Sequence, residues 1–328
     1  MSDAILSVRD LSVSVARPTG RFRAVDGISF DVAAGAALGL VGESGSGKSL
    51  ALRALMALMP RSARIESGTV VLGGEELPLG GRGARASRRG RMAMIFQDPL
   101  SALDPVHTVG SQIAEVPRRV HGLSRRRSWE RAVDLLGMVG IPDPDRRAHA
   151  YPHQLSGGMR QRVVIAAALA TEPAVLLCDE PTTALDVTVQ AQVLDLIDEL
   201  RVRLGLALVF VSHDLAVVRQ LCENVAVMYT ARLVETGPTE NVLARPLHPY
   251  TLGLLDAIVD LDDPIGPPQP IPGALPDLSG LPDGCTFNPR CALATDECLA
   301  ARPPLMDVPS SHGLRESACL HFDRLEAA

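Results

Sequence analysis

Eight consecutive residues near the start of the chain have the composition and spacing of a phosphate-binding loop. They run Gly42-Glu43-Ser44-Gly45-Ser46-Gly47-Lys48-Ser49 and match the pattern G-x-x-x-x-G-K-[ST]. The glycines let the backbone turn tightly enough for successive N–H groups to converge on phosphate oxygens, with the positive end of a helix behind them. Lys48 would bring an ammonium to the β- and γ-phosphates, Ser49 would ligate Mg²⁺, and Leu50 completes the nucleotide-contacting stretch.

Two acids follow an apolar stretch later in the chain. Residues 174–178 are continuously apolar, and Asp179 and Glu180 come directly after them. An acid at the carboxyl end of a buried strand can reach Mg²⁺ at a neighbouring phosphate loop, and the next acid can polarise a water for attack on the γ-phosphate. Because many buried strands end in Asp at a turn, the pair indicates chemistry only together with the phosphate loop upstream.

Ser156-Gly157-Gly158 precedes an apolar helical pattern and forms a third candidate for binding anions. The N–H groups and the dipole at a helix start attract negative charge. An ordinary N-cap would explain Ser156, but it would not explain two glycines that destabilise a first turn.

Alternating strand and helix patterns must position these residues. Predicted strands cover residues 5–16, 28–32, 36–41, 92–96, 174–178 and 207–211, and predicted helices cover 49–59, 109–121, 129–140, 159–170 and 187–204. The strand pattern is absent from 99 to 152, which indicates an inserted helical subdomain, and residues 73–90 are expected to be an exposed connection. The alternation predicts an α/β fold with a mainly parallel sheet and helices on its faces.

The charge balance bears on the partners. The chain has 38 acidic and 32 basic residues, of which Lys48 is the single lysine, and its net charge is −6. An acidic chain is a poor match for nucleic acid as the principal partner. The Arg-rich stretches 82–91 and 118–127 contain no interleaved aromatic residues that could stack on bases. We therefore expect a solvated loop and a solvated helix face there.

The apolar runs are all shorter than the roughly 18 residues that cross a bilayer. The first residues lack the basic and apolar regions of a signal peptide, so a cytosolic chain is expected. From residue 264 to 309 the chain contains 11 prolines, which predict an extended, loop-rich tail. Four cysteines in this part of the chain, Cys285, Cys291, Cys298 and Cys319, suit metal binding better than disulfides in a reducing compartment.

The motif Leu155-Ser156-Gly157-Gly158-Met159-Arg160-Gln161, together with the other motifs in their order, resembles the signature of the ATP-binding cassette (ABC) family. The resemblance implies further site residues. Gln97, after Phe96, resembles the Q-loop glutamine that touches Mg²⁺ or water. Ala184-Leu185-Asp186 resembles the D-loop, and His213 resembles the switch histidine that contacts the γ-phosphate. Phe22 is the candidate for stacking on adenine.

A narrower resemblance concerns the importers for peptides and nickel. Residues 97–105 and 151–162, and the tail segments 247–251, 270–273 and 285–291, are similar to ATPases of oligopeptide and dipeptide importers. The resemblance implies an ATP-hydrolysing subunit that energises peptide uptake. The alternatives are an ATPase for nickel or another small solute, and a soluble cassette ATPase outside transport.

The resemblance also implies an assembly. It predicts a head-to-tail dimer with a second ABC ATPase subunit, in which Ser156, Gly157 and Gly158 complete the partner's ATP site. It predicts two transmembrane permease subunits, an extracytoplasmic peptide-binding protein, and a peripheral position at the cytoplasmic face of the cell membrane.

The implied domains are a P-loop NTPase of the ABC type, residues 1–245, and a C-terminal extension, residues 246–328. The first has an N-terminal antiparallel β subdomain and a helical subdomain at about 99–158. The cysteine spacing C-x5-C-x6-C-x20-C departs from the short knuckles of structural zinc. The resemblance implies a [4Fe-4S] cluster, which also takes four thiolates, and Zn²⁺ remains the alternative.

Overall fold

The computed structural model describes residues 4–18, 20–81, 83–98, 102–183, 185–257, 270–278, 280–309 and 314–326. The strands are β1 Ala4–Arg17, β2 Gly20–Ala33, β3 Ala37–Val41, β4 Ala63–Leu72, β5 Glu75–Glu76, β6 Met92–Ile95, β7 Val175–Asp179, β8 Ala207–Ser212, β9 Asn224–Tyr229, β10 Arg232–Pro238, β11 Met306–Val308 and β12 Arg315–Ser317. The α-helices are α1 Lys48–Leu55, α2 Val109–Val120, α3 Arg125–Met138, α4 Pro144–Ala148, α5 Gly157–Leu169, α6 Val187–Leu204, α7 Leu215–Leu221, α8 Thr239–Ala244, α9 Pro249–Asp256, α10 Asp296–Ala300 and α11 Phe322–Glu326. Pro99 to Ser101, Ala184 and the prolines at 264, 267 and 268 lie outside the described residues.

Two sheets form the body of the protein. The larger sheet has the strand order β11-β12-β10-β9-β3-β8-β7-β6, in which β9, β3, β8, β7 and β6 are parallel and the other three strands are antiparallel to their neighbours. The smaller sheet, β2-β1-β4-β5, is antiparallel. The predicted α/β fold, with its mainly parallel sheet and its antiparallel N-terminal subdomain, is confirmed.

The central strands of the larger sheet are buried on both faces, as their continuous apolar runs predict. In β7, Leu177 packs into the core shared with α1 and the smaller sheet, while Cys178 packs into the core shared with α5 and α6. With both faces covered by packing, the loops at the carboxyl ends of the parallel strands are the exposed edge available for chemistry.

The stretch that lacks strand patterns is helical, as predicted. Helices α2, α3 and α4 pack on one another, and α2 and α3 also pack on α5. Ile113 and Leu136 are fully buried in the core that continues under α5. Within the described ranges, no helix combines the length and the apolar character that crossing a bilayer requires.

Two local predictions are wrong. Helix α1 ends at Leu55 rather than at Met59, because Ala57 takes a left-handed conformation with φ of 53° and terminates the turn. The connection at residues 73–90 is not wholly solvated, since the Arg88 side chain is 1% exposed. Its Nε donates to Leu55 O and its Nη1 donates to Pro78 O and Ala84 O, and these bonds offset part of the cost of its burial.

The tail contains more regular structure than its prolines predict. Strands β11 and β12 each have three residues, and β12 pairs with β10, so the tail extends the larger sheet. The loop-rich tail therefore also contains two short strands, because Pro304 and Pro309 flank β11 without interrupting it. A buried ion pair secures the join: Arg315 Nη2 lies 2.9 Å from Glu235 Oε1, and these side chains are 4% and 0% exposed.

Candidate active site

The phosphate loop connects β3 to α1 at the carboxyl edge of the larger sheet. Gly42 and Gly47 have φ angles of 146° and 109°, which only glycine adopts readily. A Cβ atom on Gly42 would lie 2.1 Å from Met228 O, and one on Gly47 would lie 2.2 Å from Ala24 O. The two glycines therefore let the loop lie directly against β9 and β2.

Lys48 is folded back onto this loop. Its Nζ donates to Gly42 O at 2.7 Å and to Glu43 O at 2.9 Å, and its side chain is 4% exposed. Burial lowers the pKa of Lys48, while the carboxylates of Glu180, Asp179 and Glu43 act in the opposite direction. The ammonium thus lies inside the turn that would surround phosphate. Ser46 is buried beside it, whereas Ser44 and Gly45 are exposed at the tip.

Ser49 and Asp179 lie together at the carboxyl edge of the larger sheet. Ser49 Oγ donates to Asp179 Oδ1 at 2.6 Å, and this bond joins the start of α1 to the end of β7. Leu50 follows Ser49 in the first turn of α1. Burial raises the pKa of Asp179, and the hydrogen bond from Ser49 opposes that shift. A hydroxyl and a carboxylate are the oxygen ligands that Mg²⁺ prefers, so the residues present fit this ion.

Glu180 is the point on which the other predicted catalytic side chains converge. Gln97 Nε2 donates to its Oε2 at 3.3 Å, and His213 Nδ1 lies 3.3 Å from the same oxygen. Glu180 itself has a φ of 46°, an unusual conformation for a residue with a side chain, and such conformations cluster at active sites. Three loops that follow β6, β7 and β8 are thereby brought to one carboxylate.

Thr183 also belongs to this site, although no sequence pattern predicts it. Its Oγ1 donates to Glu180 Oε2 at 3.1 Å, and it lines, with Glu180 and His213, a cavity of about 130 Å³. Its position three residues after Glu180 was the only available signal, and a threonine in a turn is too common to be singled out.

The signature residues lie elsewhere. Ser156 is exposed and caps α5, since its side chain accepts from Met159 N, and Gly158 lies against Val189 of α6. Asp186 caps α6 in the same way by accepting from Val189 N at 3.0 Å. The described contacts of Gly157 and Gly158 join α5 to Leu185, just before α6, and to Val189 of α6, and they do not reach the chain's own phosphate loop.

Phe22 is half-buried on β2, two residues before Ala24, which contacts the phosphate loop. The guanidinium carbon of Arg17 lies 4.6 Å from the centre of its ring. The structure places Phe22 on the strand next to the loop, with one ring face covered by Arg17.

The four tail cysteines come together although 34 residues separate the first from the last. They line one cavity of about 20 Å³, together with His248 and His321. All four are free thiols, and burial raises the pKa of Cys285 and Cys291, and that of Cys319 to about 12. Among the residues that the structure describes, no three His, Cys, Asp or Glu side chains have an arrangement that would hold a metal ion.

Comparison with known families agrees with this geometry. The family described as "ABC transporter" matches residues 25–183, and "Oligopeptide/dipeptide transporter, C-terminal region" matches residues 234–298. A Brucella melitensis biotype 1 protein named as a peptide import ATP-binding protein is 44% identical over 98% of both chains. A Brucella abortus protein of the same name is 46% identical over 93% of both chains.

Solved structures have the same fold. The cbiO1 protein of Clostridium perfringens, part of the transporter complex cbiONQ, has a TM-score of 0.64 and 27% identity, covering 74% of this chain and 92% of its own. The ATP-binding cassette MJ0796, solved as a dimer in a post-hydrolysis state with ADP and Pi, has a TM-score of 0.63 and 25% identity, covering 71% of this chain and 98% of its own.

The protein belongs to the ABC transporter family and is an ATP-binding ATPase. The peptide import ATP-binding proteins just described are among the relatives that match along nearly the whole length.

The close approach of the loop to β2 generates a prediction for Gly47→Ala. The added methyl would meet Ala24 O at 2.2 Å and require the loop to shift, so ATP affinity should fall by at least about tenfold, or ~1.4 kcal/mol. Equilibrium titration with a fluorescent ATP analogue measures this. The control is Gly122→Ala, which has a φ of 66° but open space around the added methyl. Equal affinities of the two variants would contradict the steric argument.

Proposed function

We propose that the protein is the ATP-hydrolysing subunit of a bacterial importer for di- and oligopeptides. The observation that carries the proposal is the convergence of Gln97, Thr183 and His213 on Glu180 next to a complete phosphate loop. The tail supports the substrate class, since residues 234–298 match the C-terminal region of oligopeptide and dipeptide transporters. A nickel importer or an ATPase outside transport lacks a specific observation in its favour.

The phosphate loop would bind the nucleotide through its backbone N–H groups. The carbonyls that now accept from Lys48 leave its ammonium within the loop, ready to turn to the β- and γ-phosphates. Ser49, Asp179 and Gln97 are the candidates for holding Mg²⁺, which neutralises phosphate charge when bound. Phe22 is the proposed contact for adenine.

Glu180 would act as the general base. Its carboxylate already accepts hydrogen bonds from two neighbours, so its orientation is held before a water arrives. His213, which is 58% exposed, is free to contact a γ-phosphate that enters from the solvent side. Pre-arranged donors and charges are the main source of rate in phosphoryl transfer.

A second ATPase subunit would complete each site. Ser156 is exposed at a helix start, and the two glycines next to it leave the N–H groups open to an anion. Since these residues do not reach the phosphate loop of their own chain, we propose that they face the nucleotide of a partner, with Asp186 near the same interface. The dimeric cassette MJ0796 supports this arrangement.

The permease subunits would dock on the helical layer. A groove of about 1060 Å³ lies between α2 and α3, lined by Leu103, Val116, Trp129 and several charged side chains. We propose that this groove receives a segment of a permease and carries the closure of the ATPase dimer to it, at the cytoplasmic face of the membrane. The peptide would reach the permeases from an extracytoplasmic binding protein.

We propose a cassette of residues 1–245 with its helical subdomain at about 99–158, followed by a C-terminal unit, residues 246–328, that holds a [4Fe-4S] cluster. Four thiols line one cavity, which matches the ligand number and type of such a cluster, and they would have to rearrange to bind it, since among the described residues no three of them are placed to hold a metal ion. The raised pKa values of Cys285, Cys291 and Cys319 belong to the free thiols, and metal binding would release the protons of the ligands. Zn²⁺ is the alternative occupant.

Replacement of the proposed base tests the chemistry. Glu180→Gln should keep ATP binding, because the amide preserves the shape of the side chain, while kcat falls by about 10²–10⁴ with the loss of the base. ATP should then trap a closed dimer, measured by light scattering. Glu199→Gln, on the exposed side of α6, is the control. Near-normal turnover of Glu180→Gln would refute the assignment.

Purification from membranes tests the biological role. A tag on this chain should retain two membrane-spanning permeases and an ATPase partner, and ATP hydrolysis by the complex should rise when peptide and its binding protein are added. Mass spectrometry of the subunits and of the bound solute is the measurement. A complex that responds to nickel and not to peptide would overturn the substrate assignment, and recovery of no membrane subunits would favour a soluble ATPase.

Metal analysis after anaerobic purification tests the cysteine site. The expected protein is brown, absorbs at about 400 nm, and contains about four iron and four sulfide per chain. Cys291→Ser should lose this absorbance, whereas Cys222→Ala, in the core away from the tail, should retain it. Stoichiometric zinc without iron would establish the alternative.

A further inference from the structure

The phosphate loop contains a carboxylate of its own. Glu43 directly follows Gly42, and its carbonyl oxygen accepts from Lys48 Nζ at 2.9 Å, so its backbone forms part of the wall that would surround phosphate. A carboxylate without a counter-charge at this position would repel the phosphates of ATP. The pattern G-x-x-x-x-G-K-[ST] accepts any residue here, and it therefore explains neither the acid nor how its charge is tolerated.

The counter-charge comes from the tail. Arg290 Nη1 donates to Glu43 Oε2 at 2.7 Å, and Arg290 Nη2 donates to Glu43 Oε1 at 3.0 Å, although 247 residues separate the two. The Arg290 side chain is 3% exposed and that of Glu43 is 29% exposed. Two parallel N–H···O bonds to a carboxylate are the geometry for which arginine is suited and lysine is not.

A second tail residue holds the backbone at the same point. Tyr250 is fully buried, and its Oη accepts from Glu43 N at 2.7 Å. Its ring packs against those of Tyr229 and Phe287, with centroids 4.5 and 5.5 Å away. Both the main chain and the side chain of Glu43 are thus held by groups from the C-terminal region.

Arg290 is itself fixed in place. Its Nε donates to Pro272 O at 2.9 Å, and its guanidinium carbon lies 5.9 Å from the centre of the Tyr229 ring. The segment that supplies Pro272 continues along the loop, since Leu275 Cδ2 would be 3.7 Å from a Cβ on Gly45. The guanidinium therefore has little freedom to leave the carboxylate.

We propose that Arg290 is a positioning residue for nucleotide binding: it neutralises Glu43 and holds the first turn of the phosphate loop in the shape that accepts ATP. The proposal rests on the proposed function. Because Arg290 touches neither Glu180 nor His213 in the described contacts, it affects the binding of ATP more than the rate of its hydrolysis.

The test measures ATP affinity and steady-state hydrolysis of the full chain. Arg290→Met keeps the side-chain length and removes the charge, and it should raise the Kd for a fluorescent ATP analogue by about tenfold or more while kcat at saturating ATP stays within about twofold. Arg290→Lys keeps the positive charge but cannot donate the two parallel hydrogen bonds, so its Kd should lie between those of the wild type and Arg290→Met. Circular dichroism and thermal unfolding confirm that each variant is folded.

The decisive measurement is rescue by a second change. In the Arg290→Met background, Glu43→Gln removes the carboxylate that is no longer neutralised and should recover most of the lost affinity, with the single Glu43→Gln completing the double-mutant cycle. The defect of Arg290→Met should also shrink relative to wild type as salt is raised, because ions screen the repulsion. A defect in packing alone would respond to neither change.

Arg302→Met is the control for general damage to the tail. Arg302 donates to Gly284 O and Pro282 O, both within the tail, and its replacement should leave ATP affinity unchanged. Wild-type affinity of Arg290→Met, absence of rescue by Glu43→Gln, or an equal loss in Arg302→Met would each overturn the proposal. If the wild-type chain itself bound no nucleotide, the proposed function would fail instead, so the two failures are distinguishable.

Discussion

The close packing of the phosphate loop between two sheets is the constraint on which the rest of the site depends. At Gly42 and Gly47 there is room for a hydrogen atom but not for a methyl group, because carbonyl oxygens of Met228 and Ala24 occupy the space. The loop is therefore held by β9 on one side and β2 on the other. This contact orients Lys48 and Ser49, and it brings the antiparallel subdomain to the nucleotide site.

The parallel sheet supplies the remaining groups at the same edge. Strands β6, β7 and β8 end in register, so Gln97 and His213, which follow β6 and β8, both approach one carboxylate oxygen of Glu180, which follows β7. Burial and neighbouring charges shift the pKa values of the charged groups at this edge. Burial raises the pKa of Asp179 and lowers the pKa of Lys48, and each of the two groups opposes the shift of the other.

Several features could be predicted from local residue patterns alone. The loop pattern, the apolar runs of β3 and β7, and the helical periodicity of residues 187–204 each reflect short-range physics, since backbone freedom and burial act within a few residues. Thr183 and the end of α1 could not be found in this way. A threonine in a turn has no distinctive spacing. The left-handed conformation of Ala57 could not be predicted, because glycine is the residue type that usually indicates such a conformation and this position is an alanine.

The class of fold, the phosphate loop and the acids that follow β7 are predictable from the amino-acid sequence, because they depend on residues that are close in the chain. Which distant groups meet depends on the tertiary structure. It placed β12 beside β10, gathered four cysteines at one cavity, and set Arg290 on Glu43 across 247 residues. Such pairings depend on how the whole chain packs around its core, and a local pattern of residue types does not predict that packing.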